Sequence, residues 1–227
     1  MMQTKDDDAP PFQEVACGRE RVISRFVGVL VSPGATFMRL ASDSDWLRPL
    51  SFMLAVVSAY SFAVILRVPT SAAAELVGFS STTALAGLRA AGLLVAIVIT
   101  MFGWFAWVTA LYVSFWALGA RTSMPQALTI IGYAAAPGII KSATLTVVVL
   151  VTGHMPVAPT LASILHARGA VATVLGSVEP FAIWNFVLLV IAASCSFGFT
   201  WRRSTAAVLL PVTLGWFLQL SLGSLIA

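Results

Sequence analysis

The stretch "ALTIIGYAAAPGIIKSATLTVVVLV", residues Ala127–Val151, reads as a helix that crosses a bilayer, but it carries an interruption around Gly132–Gly138 and an ammonium group at Lys141. A helix rises about 1.5 Å per residue, so about 20 apolar residues span the roughly 30 Å hydrocarbon core. Comparable runs recur at Pro49–Leu66, Ala90–Leu118, Phe181–Thr200 and Thr205–Ser224, with the quoted stretch extended to Gln126–Val151. The chain is 59% hydrophobic and 10% charged, with a mean hydropathy of +0.95. Soluble domains carry about 25% charged residues, so lipid must solvate most of this chain. A β-barrel would show alternating segments of about ten residues, whereas these runs are continuous. The expected fold is all-α: a polytopic transmembrane helical bundle of five spans with an N-terminal amphipathic interfacial helix.

The chain divides into an acidic, proline-containing tail over residues 1–18, an amphipathic segment over 19–45 and the transmembrane region over 46–227. The tail has the composition of a disordered segment, and no apolar run in it could serve as a signal peptide. Cys17 sits in "VACG", but nothing upstream could insert into a membrane, so lipidation is not expected. Cys195 lies in an apolar run, and two cysteines so placed read as free thiols rather than a disulfide framework.

In the second segment Val22, Ile23, Phe26, Val29 and Leu30 recur at helical spacing, with Arg19, Arg21 and Arg25 interspersed. That pattern fits a basic helix lying on an anionic leaflet, and equally one packed over the ends of the spans. Ser32-Pro33-Gly34 ends it, and Ala35–Ala41 can form a further short helix.

Arg19, Arg21, Arg25, Arg39 and Arg48 precede the first span, Arg121 lies between the second and third, and Arg202 and Arg203 lie between the fourth and fifth. Five spans place all of these on one side and only Arg67, Arg89 and Arg168 on the other. The positive-inside rule then puts the N-terminus in the cytoplasm and the C-terminus outside. Compact loops and a short tail point to a bacterial inner membrane.

Three stretches together resemble the Yip1-domain family of five-span membrane proteins. "SPGATFMRLASDSDWLRPL" (Ser32–Leu50) is similar to the family's entry segment, with a proline, a short amphipathic stretch and an aromatic before the first span. "GARTSMPQALTIIGYAAAPGII" (Gly119–Ile140) resembles its short turn followed by a span reading Gly-Tyr-x-x-x-Pro, and "EPFAIWNFVLLVIA" (Glu179–Ala192) resembles the opening of its fourth span. The likeness covers Arg25 to Ala227, and departs in the Arg121–Met124 turn and in the acidic tail. It implies the five-span fold. Eukaryotic members are associated with vesicle trafficking and small GTPases, and no residue role is carried over from them.

Counting from the basic side at 1.5 Å per residue puts Lys141 about 22 Å up its span, and the same count reaches Trp104, Asn185 and Gln219 on three others. Glu179 falls just above Asn185. A charge at such depth costs about 2.5–3.5 kcal/mol on insertion scales unless it is paired or hydrated. Lys141 can snorkel outward, donate to Asn185 and Gln219 beside the Trp104 ring, or line a wet cavity and pair with Glu179. The cluster reads either as interhelical glue or as a polar pocket for an anionic group. The stretch Tyr133 to Gly138, "YAAAPG" around Pro137, puts small residues and a proline kink on one span. Trp104, Trp107, Leu111 and Phe115 follow helical spacing as packing residues, and Trp116 and Trp201 fit an interfacial belt.

No catalytic motif is legible: no His-Glu-x-x-His, no Gly-x-Ser-x-Gly and no phosphate-cradling loop. His154 and His166 lack the neighbours a metal site needs. The spans carry no acids and show no internal repeat, against a proton-coupled or inverted-repeat transporter. The expectation is a non-enzymatic membrane scaffold or adaptor engaging membrane lipids and partner membrane proteins or copies of itself. Neither a cofactor, a metal nor nucleic acid enters that reading. The alternative is a small transporter or channel, lipid-handling among the options, built on the level of Lys141, Asn185 and Gln219.

Overall fold

The computed structural model describes residues 22–67, 82–154 and 160–226. These residues form helices and connecting turns, with no strand among them. In chain order the helices are α1 (Val22–Val31), α2 (Pro33–Leu40), α3 (Leu47–Arg67), α4 (Thr82–Ala117), α5 (Met124–Ala134), α6 (Ala136–Thr152), α7 (Leu161–Ile164), α8 (Gly169–Gly176), α9 (Pro180–Phe197) and α10 (Trp201–Ile226). The acidic tail, Arg19 and Arg21 lie outside the described residues.

α3, α4 and α9 are each long and apolar enough to cross a membrane, and α5 and α6 together make one further crossing bent by 45°. α10, 26 residues long, is less apolar: Arg202 and Arg203 open it and Pro211 interrupts it. These helices occupy the five spans of the sequence reading, and the protein is an integral membrane protein. The long helices alternate in direction. One end of the bundle gathers Arg48, Arg121, Arg202 and Arg203 and is the basic end; Arg67 and Gly153 mark the opposite one.

Local sequence sets the helix ends. Ser123 accepts from the Gln126 backbone N–H while the Gln126 side chain accepts from the Ser123 N–H, and Pro125 sits in the first turn, so α5 starts on a capping box. Gly153 at φ +71° ends α6 and Gly198 at φ +66° ends α9, conformations that a Cβ would strain. The second run extends further than its hydropathy shows. α4 begins at Thr82 rather than Ala90, because Thr, Ala, Gly and Arg sustain a helix without adding to the apolar signal. Its 36 residues reach about 54 Å, longer than the bilayer is thick.

Between α5 and α6 the helix breaks at Ala135. Pro137 has no N–H to give to the carbonyl four residues earlier, and its ring crowds that turn. The kink read from the sequence is thus a boundary between two helices.

Fully buried residues concentrate toward the basic end. They include Val108–Phe115 in part on α4, Ala127–Ala134 on α5, Leu188–Ala193 in part on α9, and Ala207 and Val208 on α10. α2 packs on α9 and α5, and α1 packs on α2 and α5. Phe26 of α1 reaches the Tyr133 ring at 4.8 Å and the Phe52 ring at 5.1 Å.

The apolar residues of α1 do not form a single face. Phe26 and Val29 are buried in the core, while Ile23, Val27 and Val31 face outward, 62%, 50% and 79% exposed. A ten-residue helix folded across the bundle has a protein side and a second apolar side, which the spacing of Val22, Ile23, Phe26, Val29 and Leu30 had merged.

Candidate functional site

At the basic end a charged network fastens α1 and the α2–α3 turn to the bundle. Arg25 is ion-paired with Asp43, Asp43 accepts from the Asp45 backbone N–H at 3.0 Å, and Arg48 meets Asp45 at 2.7 Å. The Arg25 guanidinium also stands 6.0 Å from the centre of the buried Tyr133 ring. Burial alone would raise the Asp43 carboxyl, but the Asp45 N–H and the Arg25 charge outweigh it and hold it below its ordinary range. Desolvation likewise pulls Arg25 down, and its contacts with Asp43 and Tyr133 more than offset that. On the far side of this cap, Ser196 of α9 donates to the Phe37 carbonyl at 3.2 Å.

Higher in the bundle, Lys141 of α6 is ion-paired with Glu179, the residue preceding the first turn of α9. A carboxylate at that position also faces the positive end of the helix dipole. Both side chains are largely buried, 30% and 16% exposed. Nearby, Arg67 at the end of α3 donates to the Leu150 carbonyl, so the ends of α3, α6 and α9 away from the basic end are joined by polar contacts.

Between α4, α9 and α10, in the half of the bundle away from the basic end, lies a groove of about 570 Å³. Trp107, Phe186, Leu189, Val212 and Pro211 give it apolar walls, and Asn185 and Ser177 contribute its side-chain polar groups. At its mouth the Trp216 indole N–H donates to Ser177 Oγ at 2.8 Å. No Lys, Arg, Asp or Glu lines it.

The residues singled out in the sequence therefore separate. Lys141 and Glu179 meet; Asn185 lines the groove, and no hydrogen bond joins it to Lys141 among the described residues. Trp104 is buried against Gly132, whose missing Cβ would stand 3.6 Å from its ring, about two and a half turns before Lys141. The Gln219 side chain lies outside the described residues. Tyr133 and Pro137 are buried and Gly138 is half-buried. Gly132 is the close-packed glycine: a Cβ there would sit 3.0 Å from the Pro49 ring. Trp116 and Trp201 are both exposed near the basic end.

Three features had no sequence pattern to announce them: Asp43 as the partner of Arg25, the groove, and the pairing of Ser177 with Trp216. Each joins residues far apart in the chain. Pro211 with Gly215, side-chain-poor positions in one span, was the available signal for an indentation.

The Yip1 domain family model matches residues 27–222. That match covers most of the chain, which therefore belongs to the Yip1-domain family. No curated protein and no solved structure matches it.

Proposed function

We propose that this Yip1-domain protein is a non-enzymatic scaffold or adaptor of a bacterial inner membrane, engaging lipids and partner membrane proteins, with its N-terminus in the cytoplasm. The observation that carries the reading is the α1–α2 cap. It is fixed to the bundle by Arg25–Asp43 and still presents Ile23, Val27 and Val31 outward, with Met38 of α2 60% exposed. An apolar row at i, i+4 and i+8 on a helix at the membrane boundary suits insertion among headgroups or contact with another membrane protein. Arg39, Arg48, Arg121, Arg202 and Arg203 at the same end support the cytoplasmic assignment and attraction to anionic lipid.

The test extracts the protein in native-lipid nanodiscs and identifies retained proteins and lipids by mass spectrometry, for wild type and for Ile23→Ser/Val27→Ser/Val31→Ser. A reproducible protein partner lost from the triple variant, with the bundle intact, supports the adaptor. Equal retention by both proteins removes the cap from the reading.

The second reading, a small transporter or channel using Lys141, Asn185 and Gln219, draws on the Lys141–Glu179 pair among the spans, since intramembrane charges commonly line solute paths. Flux through the reconstituted protein in liposomes separates the two, because a scaffold conducts nothing.

A further inference from the structure

We propose that the groove between α4, α9 and α10 is a binding site for one lipid acyl chain whose polar end is uncharged, an ester or hydroxyl held by Asn185. The inference stands apart from the adaptor reading, which rests on the opposite end of the molecule.

The groove opens between membrane-spanning helices, so its surroundings are bilayer hydrocarbon. It extends from Val208 to Trp216 on α10, about 12 Å along the helix, which is a chain-like shape rather than a compact one. Its floor is closed: Leu189, Val208 and Pro211 are buried. Gly215 lines it, and no atom lies within 4 Å of where a Cβ would stand, so at this point the wall is missing a side chain.

Asn185 gives the site its chemistry. Its half-buried carboxamide has no hydrogen-bond partner among the described residues, although it sits in a spanning helix where an unsatisfied amide is costly. It lies five positions beyond Pro180, the first residue of α9, about 8 Å along the helix. A ligand group reaching that depth must be desolvated. No charged side chain lines the groove, so a phosphate or carboxylate would arrive there unpaired and stripped of water, which disfavours it strongly. An ester carbonyl or a hydroxyl can pair with the carboxamide at no such cost.

The test uses the purified full chain with a monoacylglycerol carrying a diazirine in its acyl chain, beside a diazirine alkane of equal length, followed by peptide mapping. The expected result is saturable labelling of α9 and α10 peptides around Asn185 and Val212 that unlabelled monoacylglycerol competes away. The monoacylglycerol should be preferred over the alkane at least threefold. Gly215→Leu, which fills the groove, should lower labelling at least fivefold, and Asn185→Leu should abolish the preference while leaving alkane labelling unchanged. Gly87→Leu, another glycine with open space at its Cβ, should alter nothing.

Labelling spread over outward faces such as that of Phe102, without competition, would overturn the proposal. So would groove labelling with no preference for the polar-ended probe, or stronger competition by the matching fatty acid carboxylate. The competition and mapping are decisive in the wild type alone if a variant does not fold. Loss of this labelling and loss of partner capture by the cap are separate readouts.

Discussion

Ser114 of α4 donates its hydroxyl hydrogen to the Ala207 carbonyl of α10 at 2.6 Å, in a fully buried setting. Ala207 is four residues before Pro211, the proline inside α10. Proline has no N–H to close that helical turn, so the carbonyl it releases inside the membrane is taken up by a neighbouring helix.

Ser114→Ala should therefore destabilise the bundle by about 1–2 kcal/mol, near the upper range of interhelical hydrogen bonds in membranes. In Pro211→Ala the restored N–H reclaims the Ala207 carbonyl, and the cost of Ser114→Ala should fall by at least half. Unfolding in mixed micelles of the two single variants and the double variant measures this; equal cost of Ser114→Ala in both backgrounds would refute the relay.

Lys141 and Glu179 form a pair among the helix ends opposite the basic end. Lys141→Met leaves a largely buried carboxylate alone and should cost about 2–4 kcal/mol, whereas Lys141→Met with Glu179→Gln should cost less than the sum of the singles. A double-mutant cycle with coupling below about 0.5 kcal/mol would show instead that each charge is separately solvated.

Gly132 lets α5 approach α3 where the Pro49 ring would meet a Cβ at 3.0 Å. Gly132→Leu should overpack that contact and cost about 3 kcal/mol or abolish folding, with Gly132→Ala at about 1–2 kcal/mol. Gly138 has nothing within 4 Å of its Cβ position, so Gly138→Ala should be neutral or slightly stabilising by its helix propensity. Thermal unfolding followed by fluorescence-detected size exclusion ranks the three.

In the folded protein the Asp45 N–H and the Arg25 charge outweigh burial and hold the Asp43 carboxyl below its ordinary range. A lowered folded value means that its stabilisation is complete above the unfolded pKa and is lost as pH falls through the folded one. The α1–α2 cap should stay docked from pH 8 to about pH 5 and loosen below about pH 4. In Asp43→Asn the protein should already be less stable at pH 7, by about 1–3 kcal/mol, and that acid-sensitive step should shrink. Hydrogen exchange of α1 against pH is the measurement, and an unaltered profile in the variant would assign the step to another group.

The charge distribution predicts the topology. In a background of Cys17→Ser and Cys195→Ser, His154→Cys should react with a membrane-impermeant maleimide on intact spheroplasts. Ser44→Cys should react only after permeabilisation. Both positions are exposed and at opposite ends of the bundle, and the reverse pattern would invert the orientation.

The spans and their approximate bounds were legible because burial in lipid imposes about 20 apolar residues per span whatever the tertiary arrangement. The α9 span, expected at Phe181–Thr200, is a helix over Pro180–Phe197, closed early by Gly198 in a left-handed conformation. Lys141 was conspicuous because an ammonium group stands out in an apolar run. Its neighbours were not: counting levels put Trp104 beside it, but Trp104 packs on Gly132, nine residues before Lys141 and on the other side of the 45° bend between α5 and α6. A level count assumes straight, untilted spans, and it leaves the rotation of each helix free as well.

The sequence by itself thus determined the medium, the family, the all-helical class and the residues too costly to be indifferent. Local chemistry carries all of these: hydropathy per residue, caps, prolines and charge bias. Only the tertiary structure decided which polar groups satisfy one another, that Lys141 takes Glu179, Arg25 takes Asp43 and Ser114 takes the carbonyl freed by Pro211. It also left Asn185 in a groove without a partner among the described residues. Pairings of this kind depend on the rotation and tilt of whole helices, set by side-chain packing across the bundle rather than by any one segment.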